Sequence, residues 1–293
     1  MVRSPIETQT HRKSRDLGII LLRTQASRGN SAAMLELSYL LLENRRTRKE
    51  HLEGLYWMRR AAALGLAAAQ FAVGASYGVH GPMKRDRKKA FFWYLKAARQ
   101  GNTCAMFNTG LYFERGLGGV QRSYRSAVEW YRRAARRGDA QAMFRLGNLI
   151  DEGKGTSEDH SVALEWFRKA ASRGIPAAMF NIALAFSNGR GVRQSEAQAF
   201  RWYLRAAKAG DECAMCNLAY AYYHGCGSGI NYRLAVRWYR KAAARGDAKA
   251  MWNLGLAYEE GKGVRRNLTV AREWWRRAAK AGNRKAKRKL LSI

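Results

Sequence analysis

The chain has 293 residues, of which 54 are Lys or Arg and 22 are Asp or Glu, so its formal net charge at pH 7 is +32. Hydrophobic residues make up 47% and aromatic residues 11% of the sequence, which excludes a disordered polycation, because such chains lack apolar side chains to bury. Four cysteines are too few for a disulfide-stabilised scaffold, and no apolar run approaches the roughly 20 residues of a membrane helix. We therefore expect a folded protein of a reducing compartment, most simply the cytoplasm, while an organellar location or delivery into a host cell stays open.

After a basic N-terminal segment, residues 1–16, a repeat of about 36 residues organises the sequence. Eight glycines follow one another at steps of 36 or 37 residues, and a tryptophan stands eight residues before all of them except the first. We call them the turn glycines and count positions from them, so that −8 is the tryptophan. The turn glycines are Gly29, Gly65, Gly101, Gly138, Gly174, Gly210, Gly246 and Gly282.

The residues before each turn glycine have the periodicity of a helix with one buried face. Apolar residues recur at −11, −8, −7, −4 and −3, for example Ala127, Trp130, Tyr131, Ala134 and Ala135, which matches a period of 3.6 residues. The alanines let a neighbouring backbone approach, and we expect the tryptophan and its neighbour to fill the space between helices. A glycine suits the left-handed residue that ends such a helix.

A further helix is predicted after each turn glycine. Asn or Asp follows the glycine in six of the eight places and is a good N-cap. Position +9 is always small in the complete units, and a Gly-x-Gly turn usually ends the segment. Each unit is therefore a first helix, a glycine turn and a second helix. Stacked units of this kind predict an all-α, right-handed superhelical solenoid of about seven 36-residue helix-turn-helix repeats.

Two segments carry a resemblance to a known family. Residues 105–118 read AMFNTGLYFERGLG and residues 127–138 read AVEWYRRAARRG, and this pattern resembles the Sel-1-like repeat, a relative of the tetratricopeptide repeats. The resemblance implies a scaffold or adaptor that binds other proteins, without catalysis. It divides the chain into a solenoid over 17–283, with a degenerate half-repeat at 17–29, and a basic capping helix at 283–293. The complete repeats are 30–65, 66–101, 102–138, 139–174, 175–210, 211–246 and 247–282.

Possible sites of chemistry have simpler structural interpretations. The Gly-x-Gly turns follow helices, whereas a dinucleotide-binding loop follows a strand. Cys213 and Cys216 fall inside a helix at positions held elsewhere by alanine or phenylalanine, so we interpret them as small hydrophobic residues; only Cys226 and His224 could complete a zinc site. The acid pairs Asp151-Glu152 and Glu259-Glu260 are interpreted as solvated or paired charge. We predict no catalytic residues, no metal and no cofactor.

One row of polar residues is a candidate binding site. Position +7 recurs on one face of the first helices, which usually line the concave surface of such solenoids. Side-chain amides there can donate to and accept from an extended peptide backbone, although each could instead bond a neighbouring helix or loop. The predicted partner-binding row is Asn108, Arg145, Asn181, Asn217 and Asn253.

The basic residues form a second register. Position −5 is Lys or Arg in all seven complete repeats and is predicted to face solvent, and further arginines and two clusters add to it. The predicted basic surface is Lys84, Arg85, Arg87, Lys88, Lys89, Arg133, Arg136, Arg137, Lys285, Lys287 and Lys289. We expect a protein or peptide partner, of acidic character, in the concave groove; the alternative is RNA or DNA along the basic surface. No membrane span is predicted, and the sequence leaves the oligomeric state open.

Overall fold

The computed structural model describes residues 17–44, 47–78 and 81–292. The predicted N-terminal segment, residues 1–16, lies outside these ranges. Within them every regular element is an α-helix, so the prediction of an all-α chain is confirmed.

The helices belong to two compact units, one ending at Asp139 and the other beginning at Ala140. Unit 1 contains α1 (residues 17–27), α2 (Ser31–Asn44), α3 (Arg48–Ala63), α4 (Ala67–Ser76), α5 (Arg87–Arg99), α6 (Thr103–Arg115) and α7 (Tyr124–Arg136). Unit 2 contains α8 (Ala140–Asp151), α9 (His160–Ser172), α10 (Pro176–Asn188), α11 (Glu196–Lys208), α12 (Glu212–His224), α13 (Tyr232–Ala244), α14 (Ala248–Glu260), α15 (Leu268–Lys280) and α16 (Arg284–Leu291). Even-numbered helices are the first helices of the repeats and odd-numbered helices are the second.

The helix ends form as the sequence predicts. All eight turn glycines have positive φ angles between 84° and 99°, a region that residues with a Cβ atom rarely occupy. An Asn or Asp after the glycine caps the following helix: Asn102 Oδ1 accepts a hydrogen bond from the Ala105 amide at 2.9 Å, and Asp211 Oδ1 accepts one from the Ala214 amide at 2.8 Å. Leu66 and Ile175, at the same place in two other repeats, make no such bond. Each of these turns thus separates two helices by only three residues.

The core differs from the prediction in the place of the tryptophans. The residue at −7 is the buried one, as with Tyr131 and Trp275, whereas the tryptophan at −8 is half-buried in every complete repeat. Successive positions on a helix are about 100° apart, so only one of two neighbours can point directly into the core. The space between the helices is therefore filled by the −7 side chain, and the tryptophan covers its edge.

The small residue at +9 receives that −7 ring. A Cβ atom on Gly147 would lie 2.7 Å from Cε1 of Phe167, and one on Gly110 would lie 2.8 Å from Cδ1 of Tyr131. The ring lies directly on the backbone of the first helix, which fixes the close approach of the two helices in each hairpin.

Candidate functional site

One face of the first helices in unit 2 is open to solvent and carries the predicted polar row. Positions +3, +7 and +10 are spaced by four and three residues, so they share one side of a helix. Every one of these residues in unit 2 is exposed or half-buried. We call the set the first-helix face; its members are Gln141, Arg145, Asn148, Ala177, Asn181, Leu184, Cys213, Asn217, Tyr220, Lys249, Asn253 and Leu256.

The asparagines of this row already bond to protein groups. Asn181 Nδ2 donates to Asn148 Oδ1 at 2.8 Å, which joins α10 to α8. Asn217 and Asn253 are hydrogen-bond partners of tyrosines at −7, Tyr203 and Tyr239. A side-chain amide has two N–H donors and an oxygen with two lone pairs, so one such bond leaves further capacity for a ligand.

The other two residues of the predicted row are Asn108 and Arg145. In unit 1 the Nδ2 atom of Asn108 donates to the carbonyl oxygen of Cys104 in its own helix at 2.8 Å. Arg145 is half-buried on α8. The structure thus places all five residues at equivalent positions of their helices. Asn181, Asn217 and Asn253 bond to side chains of neighbouring helices, whereas Asn108 bonds within its own helix.

A pocket with a volume of about 470 Å³ lies at the last repeat, between α12, α14 and the start of α16. We call it the C-terminal pocket. Tyr220, which is 51% exposed, and Trp252 supply aromatic walls, and Asn253 adds its amide. Lys249, together with Arg284 and Lys285, supplies positive charge. Amide, aromatic and cationic groups in one depression suit an acidic peptide.

A second pocket on this face has a volume of about 350 Å³ and a different character. It is lined by both members of the Asn148–Asn181 pair and by His160. The His160 Nδ1 atom lies 2.8 Å from Asp151 Oδ1, and its Nε2 atom lies 3.0 Å from Glu158 Oε1. This cluster was not among the predicted sites, although the acid pair at the end of α8 and the histidine at the start of α9 were a signal for it. The pocket thus combines two carboxylates around the histidine with one exposed cation, Arg190, so it offers less positive charge to an acidic ligand than the C-terminal pocket.

The basic residues at −5 stack on the tryptophans at −8. In all seven complete repeats the cationic group lies between 4.3 and 5.9 Å from the centre of the indole ring. The closest is Lys241 over Trp238, and the farthest is Arg60 over Trp57. Such cation–π contacts contribute about 0.5–1 kcal/mol each at exposed sites. They cover the rings, which are then less available for stacking against nucleic-acid bases.

Some of the other residues of the predicted basic surface bond to protein groups, and the others are exposed to solvent. Lys89 pairs with Asp86 at 3.5 Å, and the Arg137 guanidinium donates to the carbonyl oxygen of Gly101 at 2.8 Å. Lys289 is half-buried and pairs with Glu259 at 2.8 Å. The remaining residues of the predicted surface are exposed, and of these Arg133 stacks on Trp130; they are Lys84, Arg85, Arg87, Lys88, Arg133, Arg136, Lys285 and Lys287.

The cysteines and acid pairs have structural surroundings. Burial raises the pKa of the Cys216 thiol to about 12, so it stays protonated, while Cys213 is exposed. Among the described residues, no group of three or more His, Cys, Asp or Glu side chains could hold a metal ion. The basic partners of the acid pairs include a turn residue, Lys262, which lies 2.8 Å from Glu260.

Comparison with protein families assigns the repeat. The Sel1 repeat model matches seven successive segments: 31–66, 67–102, 105–139, 140–175, 176–211, 214–247 and 248–283. A comparison with curated proteins gives no match. No helix in the described part of the chain is long and apolar enough to cross a lipid bilayer.

Two solved structures show the same fold over most of this chain. A Sel1 repeat protein from Oxalobacter formigenes is 32% identical, with a TM-score of 0.78, and the match covers 96% of this chain and 81% of that one. A protective antigen of uropathogenic Escherichia coli strains, described as having an SLR fold, is 31% identical with a TM-score of 0.86. That match covers 92% of this chain, which spans 57% of the length of the E. coli protein. The fold is therefore an all-α repeat solenoid.

Proposed function

The chain belongs to the Sel1 repeat family, and from this premise we propose that it is a non-enzymatic scaffold whose first-helix face binds an extended, acidic segment of a partner protein. The family itself suggests protein–protein interaction. The finer statement, an acidic segment on this face, is supported above all by the composition of the C-terminal pocket.

The distribution of charge along the first helices favours the C-terminal pocket as the main contact point for the acidic segment. Within α10 there is no charged side chain, and α14 has one lysine and two glutamates. The C-terminal pocket, in contrast, gathers Lys249, Arg284 and Lys285 around Tyr220 and Trp252. A carboxylate on the partner would meet cations there, while an aromatic or aliphatic neighbour would lie on the rings.

The amides then act on the backbone of the bound segment. Asn217 and Asn253 stand at equivalent places one repeat apart, so they can meet the segment at two points irrespective of its sequence. Their bonds to the tyrosines at −7 orient them without using all of their capacity. Four unpaired cysteine thiols support a reducing compartment, and we place this function in the cytoplasm.

The test uses a fluorescein-labelled, glutamate-rich decapeptide and fluorescence anisotropy with the full chain. We expect Lys249→Glu with Lys285→Glu to weaken binding about tenfold or more, because bonds to charged groups are each worth about 1.5–3 kcal/mol. Asn253→Ala should weaken binding with little change in its salt dependence, since no charge is removed.

The matched control reverses two equally exposed charges away from the pocket, Arg193→Glu with Arg201→Glu. It should leave the affinity within about twofold, because the distance and salt screen these charges. Helix content and melting must stay close to wild type in every variant. An equal loss in both double variants would mean that the peptide responds only to net charge, and the proposed site would be rejected.

Nucleic acid remains the second candidate because of the second helices of unit 2. In α9, α11, α13 and α15 there are 13 Lys or Arg residues against 3 Glu, and all of these cations are exposed. RNA binding would rise with RNA length, fall steeply with salt and respond to Arg193→Glu with Arg201→Glu as strongly as to the pocket variant. The covered tryptophans argue for the peptide, because they leave mainly phosphate contacts to RNA.

A further inference from the structure

A pocket at the turn between α14 and α15 is lined by three arginines. Arg240 comes from α13, Arg265 and Arg266 come from the turn itself, and Tyr258 comes from α14. The volume is about 490 Å³, and none of its six lining residues is acidic. We call it the arginine pocket. Asn253 precedes Tyr258 by five residues, about 140° around the helix, so the arginine pocket is separate from the first-helix face.

Two of the guanidinium groups are held in place by protein oxygens. Arg240 Nη2 donates to the Tyr258 hydroxyl at 2.7 Å, and Arg266 Nε donates to the carbonyl oxygen of Glu259 at 3.0 Å. A guanidinium has five N–H donors, so each of these bonds orients the group and leaves other donors for a ligand. Arg265 is exposed beside them.

The start of a helix adds to the positive potential of the pocket. Asn267, another lining residue, is the N-cap of α15 and accepts a hydrogen bond from the Val270 amide at 3.0 Å. The first amides of a helix point their N–H groups outward and carry partial positive charge. Here they lie at the edge of the three arginines, so the backbone and the side chains favour the same sign of ligand charge.

We propose that the arginine pocket binds a phosphomonoester group, the dianion carried by a phosphorylated side chain or a small phosphate ester. Planar guanidinium groups bind phosphate oxygens through paired hydrogen bonds. Several converging arginines suit a compact group with two charges and three terminal oxygens. Asp or Glu would supply one charge and two oxygens, which leaves part of the donor set unused.

The complete arrangement occurs in one repeat of unit 2. Two repeats earlier, Arg168 and Arg193 stand at the positions of Arg240 and Arg265, but Phe186 and Gln194 replace Tyr258 and Arg266. In the preceding repeat Leu204 stands at the position of Arg240, and the turn Ser228-Gly229-Ile230 has no basic residue. A nucleic-acid backbone presents single charges at regular intervals, and one isolated pocket does not match that pattern. The arrangement therefore favours a single phosphoryl group.

Unit 1 offers a close comparison that lacks the features of a phosphate site. Arg59 and Tyr77 occupy the positions of Arg240 and Tyr258, but the Arg59 guanidinium contacts the Met83 sulfur at 3.5 Å. The N-cap is Asp86 in place of asparagine, and its carboxylate pairs with Lys89. A carboxylate at this place repels an anion. The turn residues Lys84 and Arg85 are exposed, so they provide a matched control of similar charge.

The test is calorimetric titration of the full chain with inorganic phosphate, with a singly Ser-phosphorylated peptide that has no other charge, and with a single-stranded RNA oligomer. We expect Arg265→Ala with Arg266→Ala to weaken phosphopeptide binding about tenfold or more. Lys84→Ala with Arg85→Ala should change it less than about twofold. Tyr258→Phe keeps all the charges but releases Arg240, and a loss of about threefold is expected.

Acidification provides an independent criterion. Phosphomonoesters lose one charge below a pKa of about 6, whereas arginine stays charged, so affinity should fall between about pH 7.5 and pH 5. Phosphopeptide binding much tighter than phosphate identifies a phosphorylated protein as the source, and equal binding identifies a small phosphate ester. The proposal is overturned if both double variants lose affinity equally, if the unphosphorylated peptide binds as well, or if RNA competes through the same arginines with equal strength.

Discussion

Replacing Gly255 by alanine tests how the last repeat, and with it the C-terminal pocket, is held together. Gly255 occupies position +9 of α14, and a Cβ atom there would overlap Nε1 of Trp275. Trp275 is 1% exposed, and the same Nε1 atom donates to the carbonyl oxygen of Trp252 at 3.3 Å. The added methyl group must therefore displace a buried ring and break its hydrogen bond.

Three contributions set the magnitude. Overpacking a filled core costs about 1–3 kcal/mol, and a buried N–H left without an acceptor costs about 1–3 kcal/mol. The change from Gly to Ala inside a helix returns about 1 kcal/mol. We expect a net destabilisation of about 3 kcal/mol, confined to α14, α15 and α16, because repeats are stabilised by their nearest neighbours.

Gly147→Ala is the matched control, because it shows whether any alanine at position +9 destabilises the chain as much as Gly255→Ala. Gly147 meets the ring of Phe167, which is smaller than indole, and two other repeats already combine alanine at +9 with tyrosine at −7, as in Ala183 with Tyr203. Gly147→Ala must also move a buried ring, but it breaks no hydrogen bond, so we expect a net loss of about 1 kcal/mol, well below that of Gly255→Ala. Combining Gly255→Ala with Trp275→Tyr reproduces the natural alanine–tyrosine pair and should recover most of the loss.

The assay is amide hydrogen exchange read helix by helix, with urea unfolding followed by circular dichroism. Gly255→Ala should speed exchange in α14 and α15 and leave α8 to α10 unchanged. It should also weaken binding at the C-terminal pocket, because Trp252 is both a pocket wall and the acceptor for Trp275. Equal destabilisation by Gly147→Ala, or unchanged exchange in α14 and α15, would refute the account.

Two further predictions concern titrating groups. The pKa of Cys216 is raised to about 12 by burial, so a thiol reagent at neutral pH should modify the exposed Cys104 while Cys216 reacts only on unfolding; mass spectrometry of the alkylated chain checks this, and rapid labelling of Cys216 would contradict it. The pKa of Glu53 is lowered from 4.5 by its hydrogen bonds from Arg23 and Trp57, so its contribution is complete above the unfolded pKa and is lost as pH falls through the folded value. Because the pair is partly exposed, we expect this contribution to be at most about 1 kcal/mol. Glu53→Gln should melt earlier than wild type at pH 7, and the difference should shrink as pH falls through the folded pKa of Glu53. A difference that does not shrink in acid would point to lost packing.

The sequence was sufficient for the fold because its signals are local and repeated. Turn glycines, Asn or Asp caps and apolar positions at a period of 3.6 residues each act within a few residues, and the helices begin and end accordingly. The capping box of Thr47 and Glu50 shows the same logic in the first repeat, whose turn lacks the glycines. Local rules could not decide which of two adjacent large residues enters the core, because this depends on the neighbouring helix. The prediction that the tryptophans fill the space between the helices is therefore wrong, since the residues at −7 fill it.

The site was less predictable because side-chain amides and guanidinium groups choose among partners that are distant in sequence. The Asn181–Asn148 bond joins residues 33 positions apart, and the Arg137–Gly101 bond joins residues 36 positions apart. Periodicity places such residues on a face, but it does not reveal whether the partner is solvent, ligand or the previous repeat. The arginine pocket could not be predicted from the sequence for the same reason. Arg240 lies beside Arg265 and Arg266 only because α13 packs against the next hairpin.

Specific binding at the two proposed sites must be distinguished from the general attraction of anions to a highly basic protein. The acidic residues and the cations of this chain lie in different places. Asp86, Asp159, Asp211 and Asp247 serve as helix N-caps, while the cations of the second helices lie along the exposed sides of those helices. A net charge of +32 raises the local concentration of any anion and speeds its encounter at low salt, so affinity for an acidic probe alone identifies no site. Comparing variants of equal net charge removes this common contribution. A difference that remains at high salt then reports the converging donors of a pocket.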